Sequence, residues 1–93
     1  MTVQVRIPSA LRAYAGGERV VHVEASTVGE AIGALVRSHQ AVASHILDAD
    51  GRVRGFVGLY VNSQDVRGLQ GEATPVRAGD VVVILPSVAG GGR

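Results

Sequence analysis

At 93 residues, 46% hydrophobic but only 3% aromatic, the chain has the size of one small domain with an aliphatic core of Val, Leu, Ile and Ala. A net charge of +1 excludes a strong pull toward nucleic acid or an acidic membrane, and the lack of cysteine excludes disulfides, thiolate metal sites and a cysteine nucleophile. All nine basic residues are arginine, so no side-chain amine is present for an isopeptide bond or a Schiff base.

Val3, Val5 and Ile7 alternate with Gln4 and Arg6, which predicts a half-buried strand ended at Pro8-Ser9. Leu11 to Ala15 is short and ambiguous, and Gly16-Gly17 reads as a turn. Val20 to Val23 reads as a second strand returning antiparallel to the first. Thr27 followed by Glu30 fits a capping box, in which each side chain satisfies an orphan backbone N–H. Val28, Ala31, Ile32 and Leu35 continue at helical spacing. Gly29 and Gly33 lower the propensity of that helix, so packing on a sheet has to supply most of its stability.

Ala41 to Leu47 reads as a short second helical piece, and Asp48-Ala49-Asp50-Gly51 as a turn. Val53 to Asn62 is predicted as a strand with Val57, Leu59 and Val61 on one face and Phe56, Gly58 and Tyr60 on the other. Asn62-Ser63-Gln64 turns the chain into a short strand at Asp65-Val66, and Leu69 to Pro75 is irregular. Ala78-Gly79-Asp80 leads into a last strand, Val81 to Leu85, which Pro86 stops. The order is strand, strand, helix, then strands. That is an α+β layout: a mixed sheet of four to five strands covered by one main helix. With the apolar first and last strands paired in parallel at its centre, this order describes a β-grasp, ubiquitin-like fold.

Residues 1–87 form the expected domain, and 88–93 a flexible glycine-rich tail. Glycine lacks a Cβ, so the Gly90-Gly91-Gly92 stretch suits an extended arm lying in a narrow channel. Ser87 to Gly92 reach about 20 Å when extended. The last strand is apolar at five consecutive positions, so it puts apolar side chains on both faces of the sheet. With the helix on the Val57, Leu59 and Val61 side, Phe56, Tyr60 and part of that strand form an open patch suited to a partner.

His22, His39 and His45 lack ligand-like spacing, so no metal site is expected. The Asp48-Ala49-Asp50-Gly51 turn fails as a calcium loop: its fifth position is Arg52, and Leu59 stands where a bidentate Glu belongs. No nucleophile elbow, catalytic triad, P-loop or dinucleotide fingerprint is present. The chain is therefore expected to be a non-enzyme, binding no cofactor of its own. Met1-Thr2-Val3-Gln4-Val5 lacks the layout of a signal peptide, and no apolar stretch reaches membrane-spanning length. A cytoplasmic protein with no nucleic-acid or membrane partner is expected.

Ala78-Gly79-Asp80-Val81-Val82-Val83-Ile84-Leu85-Pro86-Ser87-Val88-Ala89-Gly90-Gly91 resembles the end of MoaD/ThiS-type sulfur carriers. Tyr60-Val61-Asn62 with Asp65-Val66 resembles their strand and turn, and Thr27-Val28-Gly29-Glu30-Ala31 their helix start. Gly58 to Arg67 and Ile84 to Gly91 are similar to the actinobacterial CysO-type branch of that family.

The resemblance implies a β-grasp fold and a charging cycle. An E1-like adenylyltransferase/sulfurtransferase, using ATP and Mg²⁺, activates the terminal glycine carboxylate, and sulfur displaces AMP to leave a thiocarboxylate. For the CysO type the acceptor is a PLP-dependent cysteine synthase. By the same resemblance Val81, Val83 and Leu85 face the partner, Val82 and Ile84 the core, and Val88, Ala89 and Gly90 form the arm. The family's second glycine aligns with Gly91, yet Gly92-Arg93 follow. The chain is accordingly expected to be a precursor trimmed by a protease, with a JAMM-type enzyme as candidate. Gly91 is the expected working end and Gly92 the alternative. Other roles compatible with the fold are the small subunit of molybdopterin synthase, a ubiquitin-like protein modifier, and an interaction domain with an inert tail.

Overall fold

The computed structural model describes residues 1–54 and 57–86, the last of these by its backbone. Phe56 and the whole predicted arm, including Val88, Ala89, Gly90, Gly91 and Gly92, lie outside the described residues.

The chain opens with β1 (Thr2–Arg6), whose Val3 and Val5 are fully buried while Thr2 and Arg6 are exposed. A 3-10 turn, Ser9–Ala15, fills the stretch left ambiguous by the sequence and buries Leu11 and Ala15. Gly16 and Gly17 follow at φ +67° and +80°, values that side-chain-bearing residues seldom adopt. They reverse the chain into β2 (Val20–Glu24), which pairs antiparallel with β1, Val5 opposite Val21.

Helix α1 (Val28–Ser38) starts at Thr27, whose Oγ1 accepts the Glu30 N–H at 3.1 Å. The returning bond differs from the expected capping box. Glu30 Oε1 accepts the N–H of Ser26, at 2.8 Å, one residue before the cap. The cap is also tied to the loop before β5: Val28 N–H donates to Thr74 O at 3.0 Å, and Val76 N–H to Ser26 O at 2.9 Å. Val28, Ala31, Ile32 and Leu35 are buried as their spacing predicts. Each of the two larger, Ile32 and Leu35, contributes about 1.5–3 kcal/mol by leaving water. Gly29 sits where a Cβ would come within 3.2 Å of the Glu72 carbonyl oxygen, so glycine there permits close packing.

After a 3-10 turn, Gln40–Val42, and the short α2 (Ala43–Ile46), the chain departs from the long strand predicted over 53–62. The Asp48 carboxylate accepts the N–H groups of Asp50 (2.9 Å) and Arg52 (3.0 Å), closing an Asx-type turn. Val53 then pairs with Leu47 in an isolated bridge, so it belongs to this local turn. Among the described residues the sheet strand β3 covers Val57–Val61. Its partner β4 is Gln64–Asp65, because Val66 already begins a 3-10 turn (Val66–Gly68) in which the Asp65 carboxylate accepts the Arg67 N–H. Within the predicted irregular stretch, Gly71–Ala73 forms one further 3-10 turn.

The last strand, β5 (Val81–Pro86), extends one residue further than predicted, Pro86 standing opposite Val57. The five strands lie in the order β2-β1-β5-β3-β4. β5 therefore occupies the centre, parallel to β1 and antiparallel to β3. Its Val82 and Ile84 are fully buried, packed in one cluster with Val3, Val5, Leu59, Ile32 and Leu35. The aliphatic core predicted from composition is thus a single layer between α1 and one face of the sheet. The buried hydroxyl of Thr74 is satisfied, donating to Gly71 O at 2.7 Å and accepting the Gln70 N–H at 3.1 Å.

Candidate functional site

Strand alternation decides what the far face of the sheet presents. With Val82 and Ile84 in the core, Val81, Val83 and Leu85 must project to the other side. Val81 and Val83 are half-buried, and Leu85 is 48% exposed, one of few large hydrophobic side chains open to solvent among the described residues.

The register extends this face across the sheet. Val83 stands opposite Arg6 on one side and Tyr60 on the other. Arg6 in turn faces Val20, and Tyr60 faces Asp65, so Val20, Arg6, Val83, Tyr60 and Asp65 form one row over all five strands. Leu85 lies opposite Gly58. A Cβ on Gly58 would come within 3.3 Å of the Tyr60 ring and 3.8 Å of Leu85 Cβ. Glycine at 58 therefore leaves room for the Tyr60 ring to lie beside Leu85, making one apolar surface from side chains on two adjacent strands.

The structure brings together four of the predicted partner-binding residues: Tyr60, Val81, Val83 and Leu85. The fifth, Phe56, lies outside the described residues. The patch lies at the C-terminal end of β5, next to Pro86, the last described residue.

Two polar arrangements frame it. At the β4 edge Arg67 Nη2 lies 3.1 Å from Asp65 Oδ2, and this hydrogen bond, with the Arg67 backbone N–H, holds the Asp65 carboxyl below its usual pKa. At the start of β5, Asn62 and Asp80 lock the β3–β4 turn to the strand entry. Sequence reasoning missed a third feature, Arg6, Arg12 and Arg19, which gather beside Leu85 in a groove of about 340 Å³. The strand alternation put Arg6 on the open face, but only the β1–β5 register places it next to Val83.

Among the described residues no group of three or more His, Cys, Asp or Glu side chains could hold a metal ion, and no helix is long and apolar enough to cross a membrane.

A mixed five-stranded sheet with parallel β1 and β5 at its centre and one main helix across a single face defines the β-grasp class, the fold of ubiquitin-like proteins. Residues 5–91 match the model of the ThiS family, and the chain belongs to that family. It is 40% identical over 93 residues to the sulfur carrier protein CysO of Mycobacterium tuberculosis (strain ATCC 25618 / H37Rv), covering 98% of this chain and all of that one. A crystal structure of the Amycolatopsis orientalis BexX/CysO complex matches with a TM-score of 0.85 and 37% identity, over 96% of this chain and 99% of the matched one. The crystal structure of SAMP1 from Haloferax volcanii also matches at a TM-score of 0.85, with 28% identity over 98% of this chain and all of that chain. The resemblance read from the sequence and the β-grasp fold are therefore both borne out. The family is one of small sulfur carriers and ubiquitin-like modifiers.

Proposed function

We propose that this chain is a sulfur carrier that works through the carboxylate of Gly91, after release of Gly92-Arg93. An E1-like enzyme transfers AMP from ATP, with Mg²⁺, to that carboxylate and releases pyrophosphate. A carboxylate is a poor electrophile, and the acyl adenylate gives it a good leaving group. Sulfide attacks the acyl carbon and AMP departs, leaving a thiocarboxylate; where a persulfide attacks instead, the product is an acyl disulfide, and a thiol then attacks its inner sulfur, forming a disulfide and releasing the thiocarboxylate. Glycine at the tip keeps that carbon unhindered. The thiocarboxylate then adds its sulfur to an acceptor held by a PLP-dependent cysteine synthase. Hydrolysis of the resulting thioester returns the carboxylate.

The observation that carries this reading is the continuity of β5. One central strand holds Val83 and Leu85 on the open face and leads directly into the segment that ends in glycines. Docking on the patch therefore directs the arm into the partner's site. The 40% identity to a carrier over its whole length supports the same assignment. The chain acts as a co-substrate, and the partners supply the catalytic groups.

The Arg93 side chain is a bulky cation, ill-suited to a channel shaped for glycine. Its removal, by a JAMM-type protease in this reading, precedes charging. Removal of Arg93 alone would leave Gly92 as the working end.

A second reading, a ubiquitin-like modifier, draws on the likeness to SAMP1. It predicts adducts of higher mass on target proteins. Without lysine, this chain offers no side-chain acceptor for chains built on itself. Intact mass after incubation with the E1-like enzyme, ATP and sulfide tests the carrier reading: a glycine-ended form gains about 16 Da as sulfur replaces oxygen. A chain that never gains that mass would remove it.

A further inference from the structure

Beside the root of the tail the sheet carries a groove that the apolar patch does not explain. Its walls include Arg6 from β1, Arg12 from the first 3-10 turn and Arg19 from the entry to β2, with Val20, Val83 and Leu85 among its apolar lining. The chain has only +1 net charge, yet three of its nine arginines meet here. No acidic residue lines the groove among the described residues. Among the described residues, the ion pairs found are Met1 with Glu24 and Arg67 with Asp65, so none of these three guanidinium groups has a carboxylate partner. Arg12 donates from Nε to Ile7 O at 3.1 Å, which fixes its stem. Arg6 and Arg19 are exposed.

Like charges gathered without counter-charges are unfavourable unless something else supplies the opposite sign. We propose that this groove receives an acidic segment of the protein that acts on the tail. In that arrangement Asp or Glu carboxylates meet Arg6 and Arg19, and a neighbouring apolar side chain rests on Leu85. A protein fits better than a nucleic acid. Half of the wall is apolar, no aromatic ring lines it among the described residues for base stacking, and three charges in one groove make no track for a phosphate backbone. The groove also runs into the patch through Val83 and Leu85, so one partner surface covers both. The guanidinium groups then steer the encounter and fix register, while Leu85 provides apolar anchorage.

The inference rests on the carrier reading only for who the partner is, and its test needs no charging. The full isotope-labelled chain is titrated with a capped hexapeptide, Glu-Asp-Leu-Glu-Asp-Leu, and with its neutral counterpart, Gln-Asn-Leu-Gln-Asn-Leu. A six-nucleotide oligothymidylate and inorganic pyrophosphate are titrated alongside. The acidic peptide is expected to shift the Nε–Hε signals of Arg6 and Arg19 and the Leu85 methyls, and to bind more tightly than the other three. In the double variant Arg6→Gln/Arg19→Gln its binding falls about tenfold, the size expected for two exposed ion pairs. Arg12 is left intact because its substitution would break the bond to Ile7 O. If the double variant loses its folded amide spectrum, Arg19→Gln alone, expected to weaken binding about threefold, decides.

Equal binding of the neutral peptide, unchanged affinity in the variant, shifts centred elsewhere, or tighter binding of oligothymidylate or pyrophosphate would each overturn the proposal. A chain that binds the acidic peptide as described but never gains sulfur would refute the carrier reading and leave this inference standing.

Discussion

Asn62 and Asp80 are joined by a hydrogen bond of 3.0 Å from Nδ2 to Oδ1, across a sequence separation of 18. Asn62 Oδ1 also accepts the Val81 N–H at 3.0 Å, and the Asn62 N–H donates to Val81 O at the same distance. Asn62 and the following Ser63 both have positive φ, 48° and 79°, as a two-residue hairpin of primed type requires. Asn62 thus shapes the β3–β4 turn and pins it to the start of the strand that carries the patch. Asn62→Ala is expected to cost about 1–3 kcal/mol, through lost side-chain bonds and a strained left-handed backbone. Asn62→Gly keeps the backbone freedom and should cost less. Urea unfolding of both variants checks the order.

Asp80 adds a pH dependence with a definite sign. Its carboxylate accepts the Arg77 N–H at 2.8 Å as well as the Asn62 amide, and these bonds hold its pKa below the ordinary 3.8. The unfolded chain then takes up the proton first as pH falls. The stability contributed by Asp80 is present above pH 3.8 and is lost as pH drops through the lower, folded value. Asp65, lowered by Arg67, and Glu24, lowered by Thr2 and the amino terminus, act in the same direction. Asp80→Asn should flatten the acid limb of a stability–pH curve while leaving its neutral-to-alkaline limb parallel to that of the wild type.

The two glycines of α1 should respond differently to alanine. A Cβ at Gly33 meets only the end of the flexible Arg37 side chain, at 3.6 Å. Gly33→Ala should therefore stabilise the domain by about 0.5–1 kcal/mol. A Cβ at Gly29 meets Glu72 backbone oxygen at 3.2 Å and Glu72 Cβ at 3.3 Å. Gly29→Ala should fall short of Gly33→Ala by about 0.5 kcal/mol or more, because the packed turn has to give way. Equal gains from the two would show that the contact with Glu72 imposes no constraint.

Neighbouring positions of β5 should separate stability from binding. Ile84→Ala opens a cavity in the core and should cost about 2–5 kcal/mol. Leu85→Ala, on the open face, should change stability by about 0.5 kcal/mol or less while weakening binding to the activating enzyme about tenfold or more. Thermal unfolding with a binding titration of each variant tests the division. Unchanged affinity in Leu85→Ala would remove the patch from the proposed interface.

Much of this layout was legible in the residues. Thr27 and the spacing of Val28, Ala31, Ile32 and Leu35 specify α1, and the unbroken apolar run from Val81 marks a central strand. The alternation that includes Val53, Val57, Leu59 and Val61 misled, because the pattern does not show that the Asp48 carboxylate closes a turn and draws Val53 to Leu47. The meeting of Arg6, Arg12 and Arg19 was hidden for another reason. It depends on parallel pairing between strands at opposite ends of the chain, and each arginine by itself reads as an ordinary solvated residue. Tyr60 was placed on the open face because alternation within one strand is local and a sequence displays it directly, whereas Val81, Val83 and Leu85 were placed there by the family resemblance.

The central claim is that sulfur is carried at Gly91. Intact-mass and C-terminal peptide mass spectrometry should follow the chain through incubation with its protease, its E1-like enzyme, ATP and sulfide. The account predicts loss of Gly92-Arg93, then a gain of about 16 Da confined to the peptide ending in Gly91. A thiocarboxylate on the full-length chain ending in Arg93, or a Gly91-ended chain that stays uncharged under those conditions, would contradict it.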